Sequence, residues 1–105
     1  TPKSSTSPAQ ASDKPTIAIR LENGIVRLYV NTTEFTYMDR EKKSIDQAKL
    51  TEALTELVGA GPGTDEDKKV IELKAGEDVP YVWPAQVIDV VKQNQWTIVL
   101  IYRNN

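Results

Sequence analysis

The strongest constraint on the fold lies in the last third of the chain, where a helical pattern separates two apolar strands. Residues 70–73 form a short apolar strand, and residues 97–102 form a second one. Between them valines recur on one helical face, with Pro84 suited to the first turn and Asn94 to the end. Strands joined by a helix in this way run parallel with a right-handed crossover. The segment 70–102 therefore predicts the parallel half of a sheet.

A β-hairpin is the clearest feature of the first third of the chain. Apolar residues recur at every second position over 17–21 and again over 26–30, which is the periodicity of half-buried strands. Asn23 and Gly24 lie between the two runs, and this pair favours a type I′ turn because both central residues need a positive φ. The pattern predicts two antiparallel strands with one apolar face, so the complete sheet is mixed.

The middle of the chain predicts one amphipathic helix that follows a less regular connection. Apolar residues of 50–58 recur at helical spacing and share one face, and a glycine-rich loop follows them. Ser44 and Gln47 have the spacing of a capping box at the start of this helix. Phe35 and Tyr37 alternate as in a short third strand. The connection therefore predicts at most one further strand before the helix.

Together these elements predict an α+β fold. We expect a two-layer α/β sandwich, with a mixed sheet of four to five strands and two helices packed on one face. A length of 105 residues allows one small domain, which we place at residues 16–105. Residues 1–15 are polar and rich in Ser, Thr, Pro and Ala, so we expect a disordered linker there. A remnant of a tag is the alternative interpretation of this segment.

Missing residue types exclude several classes of chemistry. The chain has no histidine and no cysteine, which removes histidine triads, thiol nucleophiles, disulfides and cysteine or histidine metal sites. No spacing brings carboxylates together for acid–base work, so we expect no catalytic residue, no metal and no cofactor. A net charge of −2 also argues against nucleic acid as a partner. The competing hypothesis is a protein that binds single-stranded nucleic acid and stacks its bases on Tyr29, Tyr37 and Tyr102.

Two segments are candidates for binding a protein partner. The first is a rigid, aromatic connection before the second helix, whose candidate residues are Asp78, Val79, Pro80, Tyr81 and Trp83. Its aromatic side chains either cap the hydrophobic core or form a recognition surface, since Tyr and Trp are favoured at binding hot spots. The second is the last strand, which is apolar on both faces and comprises Thr97, Ile98, Val99, Leu100, Ile101 and Tyr102. This strand is either central in the sheet or covered by a partner that adds a strand.

The segment 68–102 resembles the periplasmic domain of the ExbD/TolR family. It has an apolar strand, a polar turn, the sequence Asp-Val-Pro-Tyr at 78–81, a helix that reaches Lys92, and an apolar final strand. The upstream order of hairpin, connection and helix agrees with the same family. Trp83 and Pro84 depart from its usual pattern, which has a basic residue and Val at the start of the helix.

The resemblance implies a role in a motor driven by the proton motive force. Such proteins are held in the inner membrane of diderm bacteria by one N-terminal transmembrane helix, so we expect a periplasmic domain tethered by 1–15. They work with an ExbB-like or TolQ-like channel subunit and pass energy to a TonB-like or TolA-like protein. The proton-carrying aspartate of the family belongs to the transmembrane helix, outside this chain. We therefore expect a non-catalytic homodimer that captures the TonB-like partner by strand addition.

Overall fold

The computed structural model describes residues 14–101, so most of the predicted linker, and Tyr102, lie outside the described range. Within that range the chain forms seven strands and two helices. The strands are β1 (Thr16–Glu22), β2 (Ile25–Val30), β3 (Thr33–Phe35), β4 (Met38–Asp39), β5 (Ser44–Ile45), β6 (Val70–Ala75) and β7 (Thr97–Ile101). The helices are α1 (Gln47–Val58) and α2 (Val82–Gln93). The predicted α+β class is confirmed.

Five of the strands form one mixed sheet, in the order β3-β2-β1-β6-β7. β1 pairs antiparallel with β2, as predicted, and Asn23 and Gly24 in the turn have φ of 54° and 78°. β1 also pairs parallel with β6, and β6 pairs parallel with β7. The parallel half therefore comes from the strand–helix–strand segment, as the sequence pattern predicts. Its helix α2 ends at Gln93, with Asn94 as the C-terminal cap.

One face of this sheet carries the hydrophobic core and both helices. Ile17, Leu28 and Ile71 are fully buried on that face, and Leu50 and Leu54 of α1 are fully buried against it. Burying side chains of this size contributes roughly 1.5–3 kcal/mol each, so this layer supplies most of the folding energy. The arrangement is the two-layer sandwich expected. The core residues that α2 contributes are Trp83, Pro84, Val87, Val90 and Val91.

The start of α1 differs from the prediction. The N-cap is Asp46, whose carboxylate accepts a hydrogen bond from the Lys49 N–H at 3.2 Å. Ser44 is not part of a capping box, because it lies in β5, which pairs antiparallel with β4. The third strand of the main sheet likewise ends at Phe35, and Tyr37 lies beyond it. The connection therefore holds a short two-stranded ribbon, β4–β5, that the sequence pattern did not predict.

Gln86 fastens this ribbon to α2. Its Oε1 accepts a hydrogen bond from the Ile45 N–H at 2.7 Å. Its Nε2 lies 2.8 Å from the Lys43 carbonyl and 2.9 Å from the Val82 carbonyl, and donates to them. One amide side chain thus satisfies backbone groups of the ribbon and of the helix. The two-residue strands of the ribbon depend on this tertiary contact, since so short a pair is marginal by itself.

Replacing Gln86 by leucine should lower the free energy of unfolding by about 1–3 kcal/mol, because a part-buried backbone donor at Ile45 loses its partner. Urea unfolding followed by tryptophan fluorescence measures the change. Gln93→Leu is the matched control, since Gln93 is exposed on the same helix, and its effect should stay within about 0.5 kcal/mol. An equal loss in both variants would show that Gln86 does not fasten the ribbon.

A lysine closes the connection between α1 and β6. The Lys69 Nζ lies 2.8–3.2 Å from the carbonyl oxygens of Gly59, Ala60 and Gly61, just after the C-terminus of α1. A cation is favoured at this end of a helix, where the backbone carbonyls lack partners. The Trp96 Nε1 also donates to the Gly61 carbonyl at 3.0 Å. These contacts hold the start of β6 and the start of β7 close to the end of α1.

Candidate binding edge and adjoining cleft

β7 is an edge strand with one hydrogen-bonded neighbour in the described part of the chain. The Thr97 N–H donates to the Lys69 carbonyl at 2.8 Å, so the backbone groups of Thr97 point toward the β6 side. Because backbone groups of a parallel strand alternate in direction, those of Ile98 and Leu100 point away from β6. Among the strands of residues 14–101, the alternative of a central, doubly paired strand is therefore wrong. Within the same range, no strand pairs with the donors and acceptors along the outer edge of β7.

Both faces of β7 carry apolar side chains. Ile98 and Leu100 stand in register with Ile71 and Leu73, so they lie on the face that carries the helices. Val99 lies on the opposite, open face of the sheet. Leu100 is 42% exposed and Val99 is 41% exposed, so β7, a strand of five residues, has an accessible apolar side chain on each face. An edge with exposed apolar residues on either side is the kind that accepts a further strand.

Of the two aromatic residues in the predicted recognition segment, one is buried and the other is exposed. Trp83 is 2% exposed and lies in the core, so the interpretation as a core cap is right for this residue. Tyr81 is 70% exposed and serves as the N-cap residue of α2. Val79 is buried, whereas Asp78 and Pro80 are exposed. The segment therefore leaves the Tyr81 side chain accessible and uses Trp83 for packing.

The exposed part of this segment and β7 line one cleft. The cleft has a volume of about 460 Å³ and lies between α2 and the C-terminal ends of β6 and β7. The residues that shape it are Leu73, Val79, Tyr81, Pro84, Ile88 and Leu100. The structure thus joins two segments that the sequence presents as separate candidates. Glu77 is the one charged residue among the described residues that line the cleft.

Sequence reasoning missed Pro84 and Ile88 as members of this site. Both lie on α2, four residues apart, so they share one side of the helix. Ile88 is half-buried, next to the core face formed by Val87, Val90 and Val91. The signal available in the sequence was an apolar residue next to a helical core face that is already complete, which indicates a second apolar surface on α2.

The aromatic residues of the nucleic-acid hypothesis lie on separate surfaces. Tyr29 is on the open face of the sheet, where the Arg20 guanidinium lies 5.1 Å from its ring centroid. Tyr37 packs edge-on against Phe35 at 5.6 Å and lies beneath the Lys49 ammonium at 5.2 Å. Tyr102 lies outside the described residues. Tyr29 and Tyr37 therefore do not form a shared stacking platform.

The open face of the sheet is covered by charged side chains. Arg27 forms ion pairs with Glu34 at 2.9 Å and with Glu22 at 3.4 Å. These pairs balance the positive charge beside Tyr29, so the face lacks the basic stripe on which binding to phosphate backbones depends. Between residues 14 and 101, no cluster of three or more acidic side chains could hold a metal ion. No helix within that range is long and apolar enough to cross a membrane.

Comparison with known proteins adds no relative to these observations. No family model matches the chain, and no curated protein matches it. The features of the chain that bear on function are therefore the residues of 68–102 and the geometry of the β7 edge and its cleft.

Proposed function

We propose that this chain is the periplasmic domain of an ExbD-like accessory subunit, part of an inner-membrane motor driven by the proton motive force. In this role the domain captures an extended segment of a TonB-like energy transducer and acts as a homodimer. The single observation that carries the proposal is the outer edge of β7, which is unpaired among the described strands and apolar on both faces. The strand order and turn of 68–102, which resemble the family, agree with it.

The edge of β7 suits a weak, reversible interaction. Ile98 and Leu100 present their N–H donors and carbonyl acceptors to an added strand, and each hydrogen bond contributes about 0.5–1.5 kcal/mol net. Apolar contacts with Leu100 and Tyr81 add to this. A total of about 4–8 kcal/mol corresponds to a dissociation constant between roughly 1 mM and 1 μM. A motor that binds and releases its partner in each cycle needs affinity in this range.

The other partners follow from the same proposal. An ExbB-like channel subunit contacts the transmembrane helix that precedes this domain in proteins of the family. The proton-carrying aspartate belongs to that helix, so the residues described here perform binding and no proton transfer. Tyr81 and the cleft beside it form the second part of the contact surface, next to the β7 edge.

An NMR titration tests the proposal. The ¹⁵N-labelled domain is mixed with a synthetic peptide from the periplasmic stretch of the TonB-like protein encoded in the same genome. We expect amide shifts along 97–101 that saturate at micromolar to millimolar peptide, because strand addition changes the hydrogen bonding of the edge amides. Smaller shifts should appear at 77–81. A peptide of the same composition in scrambled order is the control.

The pattern of shifts separates the outcomes. Shifts on β7 with the TonB-like peptide support the ExbD-like role. Binding of a TolA-like peptide alone would replace that role by the TolR-like one, in which the same edge serves maintenance of the envelope. Shifts confined to 78–85 would overturn strand addition, and no shift with either peptide would overturn capture by this domain.

A further inference from the structure

A strand that pairs with β7 would direct some of its own side chains toward the cleft. Residues directly opposite one another in neighbouring strands project to the same face of a sheet. Leu100 lies on the helix face, in register with Leu73, and lines the cleft. The partner residue opposite Leu100 would therefore project toward α2 as well, where Ile88 and Tyr81 line the same space.

The cleft is suited to a large apolar side chain. Its volume of about 460 Å³ falls in the range of roughly 300–1,000 Å³ that is typical of ligand pockets. Leu73, Ile88 and Leu100 supply an apolar lining, and the exposed ring of Tyr81 forms one wall. A single aromatic or branched aliphatic side chain would fill part of this space, and such anchors dominate the energy of most protein interfaces.

The end of the cleft near the turn after β6 carries negative charge. Glu77 lines the cleft, and Asp78 beside it is exposed. Neither carboxylate forms an ion pair with another described residue. Both residues follow the C-terminal end of β6, which runs parallel to β7. Asp78 lies on the β1 side of this turn, so Glu77 is the carboxylate that a basic side chain entering the cleft from a partner strand would meet.

We propose that the cleft selects an extended segment with a large apolar residue opposite Leu100 and a lysine or arginine one or two positions away, on the Glu77 side. This inference rests on the proposed function, since it assumes that a partner strand pairs with β7. It specifies the residue types that the partner strand would carry. A basic residue that follows the anchor indicates a strand parallel to β7, and one that precedes it indicates an antiparallel strand.

Selection from a random peptide library tests the recognised chemistry. Twelve-residue peptides displayed in many copies on phage are panned against the wild-type domain, and against a variant with Glu77→Lys and Asp78→Lys. We expect the wild type to enrich peptides with a large apolar residue and a basic residue within two positions. The charge-reversed variant should enrich acidic residues at that position. Both substituted positions are exposed, so the variant should fold like the wild type.

The library selection and the titration test different claims, so their negative results can be told apart. Enriched peptides that shift β7 amides, but lack a basic preference or keep it in the charge-reversed variant, would overturn the inference and leave strand addition intact. Enrichment of no peptide would also overturn the inference, whereas the titration with the TonB-like peptide decides the proposed function. Tyr81→Ala should weaken an enriched peptide at least threefold, and an unchanged affinity would remove the anchor from the cleft.

Discussion

Replacing Trp83 by alanine should lower the free energy of unfolding by about 3–5 kcal/mol and shift the urea midpoint to a clearly lower concentration. Trp83 is 2% exposed and is the largest of the fully buried side chains. It shares the buried face of α2 with Val87 and Val90, so its removal leaves a cavity between the helix and the sheet. Small domains have a total stability of only about 5–15 kcal/mol, which makes this loss decisive. Urea unfolding followed by circular dichroism measures it.

Tyr81→Ala is the matched control, because the two aromatic residues are two positions apart. Tyr81 is 70% exposed, so its replacement should change stability by less than about 0.5 kcal/mol. The same variant should weaken partner binding, which separates a packing role from a recognition role. A Trp83→Ala domain that unfolds at the same urea concentration as the wild type would contradict the position of this side chain in the core.

The difference in burial between Trp83 and Tyr81 depends on the residue at which α2 begins. The sequence pattern places Pro84 in the first turn and Tyr81 and Trp83 in a rigid connection before the helix. In the structure α2 begins at Val82, so Trp83, Val87, Val90 and Val91 fall at i, i+4, i+7 and i+8 on one face. The periodicity was therefore present in the sequence. Pro84 is the third residue of α2 and lies in its first turn, as predicted, but the helix already begins at Val82 and includes Trp83.

The hairpin and the parallel unit follow from local patterns and were predicted correctly. Each depends on residues close together in the sequence, such as Asn23 and Gly24 in the turn. The β4–β5 ribbon has no such local signal. Its strands of two residues are held by Gln86, whose Oε1 reaches a backbone N–H 41 positions earlier in the chain. A contact of this separation leaves no periodic pattern, so the sequence predicts only a less regular connection with at most one further strand in this region.

The candidate site was predicted in its parts and missed as a whole. The apolar residues of β7 predict a strand that is either central or covered by a partner, and the aromatic turn predicts either a cap on the core or a recognition surface. Their meeting in one cleft depends on the parallel pairing of β6 with β7 and on the position of α2 above them. Neither segment contains information about the other. The edge position of β7 is likewise a property of the sheet order, which the sequence left open.

Replacing Leu100 by lysine should weaken binding of the TonB-like peptide at least tenfold, or about 1.4 kcal/mol. The new ammonium group would project into the apolar cleft, where pairing of a partner strand would remove it from water at a cost in free energy. It would also repel the basic residue that we infer in the partner. The titration that measures wild-type affinity measures this change, with urea unfolding of the same sample to confirm that the domain is folded.

Val99→Lys is a closely matched control for this substitution. Val99 is exposed to the same degree as Leu100, 41% against 42%, and lies next to it on the same strand, but projects to the open face. Its replacement should change affinity by less than about threefold, because the ammonium stays in water when a strand is added. An equal loss in both variants would mean that the partner covers the open face of the sheet. No loss in either variant would place the contact away from β7, so the pair of variants decides which face of the edge strand recognises the partner.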